Sequence, residues 1–159
     1  VSTWRLYFRG LQPETLSGTF VREGRLVDKR ALRQMRLVAK LVMEQSIRNT
    51  PVDWKGPHGR SSPPGHELEL AHHIVEQYGT AGRIEATVEV GGTVGDVDVD
   101  LYASWIHNSF DYKLGPASHA KSMLGPKYKV GPLFLERALA EYDSEFDGLI
   151  DQVMGELMS

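Results

Sequence analysis

With 159 residues, 41% of them apolar and 25% charged, the chain has the size and composition of one globular domain that can bury roughly two-thirds of its unfolded surface. A net charge of −3 argues against a dedicated nucleic-acid binder, and the absence of cysteine excludes disulfides, thiolate metal sites and cysteine nucleophiles. The opening VSTWRLYFRG has no apolar signal core and Lys40 interrupts the longest apolar run, so a soluble protein without a membrane span is expected, folded as a single domain over residues 1–159.

Trp4, Leu6 and Phe8 alternate with Arg5, Tyr7 and Arg9, the period of a half-buried strand, and Gly10 and Pro13 end it. Residues 19–27 permit a second short strand or a hairpin around Glu23-Gly24, so residues 1–27 read as an N-terminal strand or arm. Asp28 is placed to N-cap a helix over Lys29–Asn49, on which Ala31, Leu32, Met35, Val38, Ala39, Val42 and Met43 share one apolar face. Thr50-Pro51 ends that helix, because the residue before proline disfavours the α region. Residues 51–66 are a loop by composition, and His66–Tyr78 suits either a short helix or a strand.

Residues 83–90 alternate cleanly through Ile84, Ala86, Val88 and Val90. Gly91-Gly92 then turns the chain into a returning strand over Val94–Trp105, giving an antiparallel hairpin. Val97 and Val99 take one side of that strand and Asp96, Asp98 and Asp100 the other. Residues 108–131 read as a second long loop carrying Lys113, Lys121, Lys127 and Lys129. A closing helix over 132–157, entered with Pro132 as its first residue, carries Leu135, Ala138, Leu139, Tyr142, Phe146, Leu149, Ile150, Val153 and Leu157 in one stripe roughly 35–40 Å long. The expected fold is α+β: a small antiparallel sheet packed against two long helices, with two long loops.

No motif for catalysis emerges. Asp96-x-Asp98-x-Asp100 lacks the glycine and glutamate of a calcium loop, which are Leu101 and His107 here. There is no phosphate-binding loop, no G-x-S-x-G elbow and no H-E-x-x-H. His72, His73 and Glu76 are the remaining candidates for a metal-dependent hydrolase, although adjacent histidines point apart on either a helix or a strand. No enzyme activity, metal or cofactor is expected. Two surfaces suggest contacts instead. Lys29, Arg33, Arg36 and Lys40 form a basic stripe on the first long helix, with Leu37 and Leu41 on a further side. On the closing helix Ala140, Ser144, Gly148 and Gly155 lie opposite the apolar stripe, and interior glycine is tolerated best where another backbone comes close.

Three segments in order, Thr50-Pro51-Val52-Asp53, Tyr102-Ala103 followed by His107, and Pro132-Leu133-Phe134-Leu135 with Ala138, resemble the tail-completion (head–tail joining, or neck) proteins of tailed bacteriophages. The resemblance spans residues 28–157, and the chain departs from the family pattern by inserting WKGPHGRSSPPGHE before Leu68. It implies a non-enzymatic virion protein, assembled in the host cytoplasm. Copies would form a ring, of six by resemblance, between the portal or connector and the tail-tube or tail-terminator proteins. The ring would leave a channel for DNA in transit. The basic stripe and the small-residue side then become candidate subunit interfaces, and Asp96, Asp98 and Asp100 candidate channel-facing groups. A small adaptor domain that binds another protein through its loops is the further alternative to the hydrolase.

Overall fold

The computed structural model describes residues 3–9, 16–23, 29–52, 66–78, 84–109, 113–143 and 148. Two strands open the chain, β1 (Thr3–Arg9) and β2 (Leu16–Glu23), paired antiparallel from Thr3↔Glu23 to Arg9↔Ser17. The expected second strand forms, but over Leu16–Glu23 rather than 19–27. Its pairing with β1 puts the chain reversal between Arg9 and Leu16, the interval that holds the breakers Gly10 and Pro13.

Helix α1 (Lys29–Asn49) has the bounds its periodicity predicts. Met35, Val38, Ala39 and Val42 are buried, as that spacing requires, while the expected cap Asp28 lies outside the described residues. The ambiguous segment resolves into both readings: a single turn, α2 (Glu67–Leu70), followed by β3 (His72–Tyr78). β3 pairs antiparallel with β4 (Ile84–Val90), which also pairs with β2, so the sheet order is β1-β2-β4-β3. Paired residues share a face, which places Ala86, Val88 and Val90 with His72, Ile74 and Glu76 on the side covered by α1.

The expected strand over Val94–Trp105 does not form. After β4 the chain makes a two-residue ladder, β5 (Thr93–Val94) with β6 (Val97–Asp98), then helix α3 (Asp100–Asn108). Gly95, at φ 64°, supplies the positive φ that such a tight turn needs at its first central position. Local carboxylate bonds start the helix. Asp98 Oδ1 accepts the Asp100 N–H at 3.1 Å and Asp100 Oδ1 accepts the Gly92 N–H at 2.8 Å. Val99 and Ala103 are buried, and Tyr102 and Ile106 pack partly on the same core, a helical spacing in a segment whose Val, Tyr, Trp and Ile content reads locally as strand.

A Cβ at Gly91 would stand 2.2 Å from Asp100 Oδ1. Gly91→Ala is therefore expected to displace that carboxylate from the Gly92 amide and to destabilise by about 1 kcal/mol. In an Asp100→Ala background the same substitution should cost much less, which a pair of thermal melts would show.

The 108–131 segment is not one loop, since it contains α4 (Pro116–Ser122), with Pro116 at its first turn. The last helix, α5, covers 134–143, and the chain is again helical at Gly148. It starts two residues later than expected, because Leu133 sits at φ 54°, a left-handed conformation that costs a leucine roughly 1–3 kcal/mol. Phe134, Leu135, Ala138 and Leu139 are buried and Tyr142 partly so. The expected stripe from Phe146 to Leu157 lies outside the described residues. The architecture is α+β, with helices on a mostly four-stranded antiparallel sheet.

Candidate functional site

The buried stripe of α1 does not stop at Val42. It continues at the same spacing through Gln45, Ser46 and Asn49, all buried, and then Thr50. A buried polar group needs a partner, and Gln45, Ser46 and Asn49 each find one outside α1. Gln45 Nε2 donates to Asn49 Oδ1 at 3.1 Å and to the Lys127 carbonyl at 2.7 Å. Asn49 Nδ2 donates to the Phe134 carbonyl at 3.4 Å, and the Asn49 carbonyl accepts the Gly131 N–H at 3.0 Å. Thr50 Oγ1 donates back to the Ser46 carbonyl at 2.7 Å. Ser118 on α4 closes a two-way clasp with Val52, accepting its N–H at 2.9 Å and donating to its carbonyl at 2.7 Å.

Lys121 on α4 completes the end of α1. Its ammonium donates to the carbonyls of Ile47 (2.6 Å) and Thr50 (2.7 Å) and to Glu69 Oε1 (2.5 Å). The last carbonyls of a helix carry partial negative charge and lack intrahelical partners, so a cation there is favourable. Burial lowers the Lys121 pKa, and the Glu69 carboxylate opposes that shift.

Two histidines flank the Phe134 ring. His72 lies 5.9 Å from it, tilted, and His107 meets it edge-on at 4.9 Å. His72 Nδ1 faces the Leu68 and Glu69 carbonyls at 2.9 and 3.2 Å, which assigns it the proton. Its Nε2 then accepts from Ser46 Oγ at 2.9 Å. Burial holds both rings neutral, with pKa values lowered to about 4, and the charges of Lys121 near His72 and of Arg137 near His107 act in the same direction. The His107 carbonyl accepts the Leu133 N–H at 2.7 Å, tying α3 to the turn before α5. Tyr102, pushed up to about 12 by burial and then by the Glu67 charge, stays a phenol.

This node joins α1, α2, β3, α3, α4 and α5 through neutral rings, bonded amides and hydroxyls, and the Lys121 ammonium. It is suited to holding elements in place rather than to moving protons.

The hydrolase candidates do not converge. His73 is on the opposite face of β3 from His72 and reaches Glu89 across the strand pair at 3.2 Å. Glu76 shares the His72 face but takes Arg36 side-on, Nε to Oε1 at 2.6 Å and Nη2 to Oε2 at 2.8 Å. Among the described residues no group of three His, Asp or Glu is placed to hold a metal.

The basic stripe is thus partly used within the chain. Arg36 holds Glu76, and Lys40 lies 3.9 Å from Glu44. On α5, Glu141 pairs with Lys129 at 3.2 Å. Arg33 and Lys40 are exposed, and beside them Leu37 and Leu41 are 46% and 38% exposed. Lys29 starts α1, but its side chain, Ser144 and Gly155 lie outside what is described. Ala140 and Gly148 are exposed, and a Cβ at Gly148 would meet nothing within 4 Å. Asp96, Asp98 and Asp100 are exposed as expected, although on a tight turn and a helix start rather than along a strand.

Sequence reasoning missed Gln45, Ser46, Asn49, Ser118 and Lys121. The signal for the first three was the unbroken spacing from Val42; Ser118 and Lys121 carried none. Comparison with models of known protein families, with curated protein sequences and with solved structures finds no match. Among the described residues no helix is long and apolar enough to cross a membrane.

Proposed function

We propose that the protein is a structural component of a phage neck, a ring-forming subunit that joins the DNA-filled head to the tail and leaves a channel for DNA. One observation carries the reading. The three segments that bear the resemblance are 49 and 25 residues apart in the chain, yet they come together in one node, through Thr50 and its neighbour Asn49 at the end of α1, His107 on α3 and Phe134 on α5. Residues that recur because they hold a fold together are expected to converge in this way, buried and mutually bonded, and not to line an open cleft. A ring subunit needs interfaces and a lumen rather than a catalytic pocket, and a buried node built around neutral histidine rings agrees with that. The hydrolase reading has no comparable support, since its three residues point to separate partners.

The subunit interface is proposed on α1, around the exposed Leu37 and Leu41, with Arg33 and Lys40 beside them selecting partner and register. Arg36 contributes less than its place in the stripe suggests, because its fork already holds Glu76. The Asp96–Asp100 tip is proposed to face the channel, where an acidic wall keeps phosphates from adhering; finding these carboxylates buried between subunits in an assembled ring would refute that placement.

Leu41→Asp should leave the melting temperature of the free chain nearly unchanged, since exposed sites tolerate substitution within about 0.5 kcal/mol. Assembly should weaken about 10- to 100-fold for each contact, the equivalent of losing one buried leucine. Incorporation of the variant into particles, measured against wild type, tests the interface. Unchanged incorporation removes α1 from it, and a one-to-one complex with a cellular protein in place of a ring would favour the adaptor reading.

A further inference from the structure

Arg137, in the first turns of α5, buries one edge of its guanidinium, Nε and Nη2, with no hydrogen-bond acceptor among the described residues. Neither nitrogen has surface that a water molecule could touch. Burial works against its charge. The guanidinium lies over the turn that leads into the helix, since a Cβ at Gly131 would be 3.5 Å from Nη2. That turn is itself strained, since Leu133 sits at φ 54°, whereas Gly131 at φ 150° is a conformation glycine takes freely. Strain and cation are linked directly, because the Leu133 carbonyl accepts the Arg137 N–H at 2.8 Å.

A guanidinium edge with no acceptor among the described residues and a left-handed leucine within one helical turn both weigh against the isolated chain. Features of that kind persist where they serve something other than its stability. Nε and Nη2 together form the side of arginine that grips a carboxylate through two parallel N–H···O bonds; Arg36 uses this edge on Glu76 in the same molecule.

We infer that Arg137 is a docking site for a carboxylate side chain presented by a neighbouring protein subunit, opened when the 131–133 turn relaxes. A planar carboxylate satisfies the edge with both of its oxygens. A phosphate would keep at least one charged oxygen that this two-donor edge does not meet. The inference rests on this geometry and not on the neck reading.

The test uses the whole chain at pH 7, with acetate as the probe and inorganic phosphate at equal ionic strength as the comparison. Acetate should produce a saturable shift of the Arg137 Nε–H resonance, and phosphate a smaller one. Arg137→Leu should raise the melting temperature in plain buffer by about 2–4 °C, and Arg137→Lys, which keeps the charge without the fork, should show no acetate-dependent gain in stability. A fall in melting temperature for Arg137→Leu would mean that the guanidinium is a structural group. An Nε–H resonance indifferent to acetate, or one that responds more to phosphate, would overturn the carboxylate assignment whatever the variants do.

Discussion

Acidification from pH 7 to pH 5 should remove about 4 kcal/mol of folding stability through two histidines alone. His72 and His107 have folded-state pKa values lowered from 6.5 to about 4, mainly because burial disfavours the charged ring. Between those values the unfolded chain binds protons that the native node refuses. Stability is therefore fully present above pH 6.5, falls as pH drops through 6.5, and levels off near 4. Each shift corresponds to about 3 kcal/mol in full. Hydrogen bonds to the Leu68 and Glu69 carbonyls oppose the change at His72 without offsetting burial. Denaturant melts across pH 7 to 5 check this, in a window above most carboxylate titrations. The double variant His72→Gln/His107→Gln should be less stable at pH 7 and nearly flat over the window. A slope equal to that of wild type would show that other groups carry the acid sensitivity.

Lys121→Met should destabilise by about 3 kcal/mol, because it leaves Glu69 Oε1 and the Ile47 and Thr50 carbonyls enclosed without the ammonium, while His66 still meets Glu69 Oε2. For a chain of this length that corresponds to a fall in melting temperature of roughly 10 °C. The ammonium serves Ile47, Thr50 and Glu69 at once, so no single replacement restores all three bonds. Adding Glu69→Met should recover part of the loss by removing the stranded carboxylate, although the α1 carbonyls stay unanswered. A loss below 1 kcal/mol for Lys121→Met would mean that water replaces the ammonium readily and that the end of α1 is open.

Much of the fold follows from patterns a reader of the sequence can count. Helix α1 was legible because its apolar period holds from Met35 to Val42, and β4 because Ala86, Val88 and Val90 alternate. The partner of β4 was not legible. Gly91-Gly92 favoured a return hairpin, whereas pairing with β2, more than sixty residues earlier in the chain, depends on the packing of the whole sheet. Helix α3 was hidden by residue type, as Tyr102, Trp105 and Ile106 carry strand preference while their spacing from Val99 is helical. The node stayed hidden for a different reason. Gln45, Ser46 and Asn49 were left out of the apolar face because they are polar, although each sits on the buried stripe with a bonded partner. The charged stripe shows the reverse error: Arg36 looked available for a partner subunit and is held by Glu76, forty residues away.

The neck reading and the node make separate demands. The node concerns the folding of one chain, and its tests need only purified protein. The neck reading concerns copies and a lumen, so its test must be made on the assembled particle, where a preceding ring can serve as template even if the free chain stays single. Imaging of the head–tail junction without imposed symmetry is that measurement. The expected result is a closed ring of identical copies around a central channel, with Leu37 and Leu41 at the contact between neighbours. A single copy at the junction, a pair of copies without a channel, or no copy in the particle would contradict the proposed function.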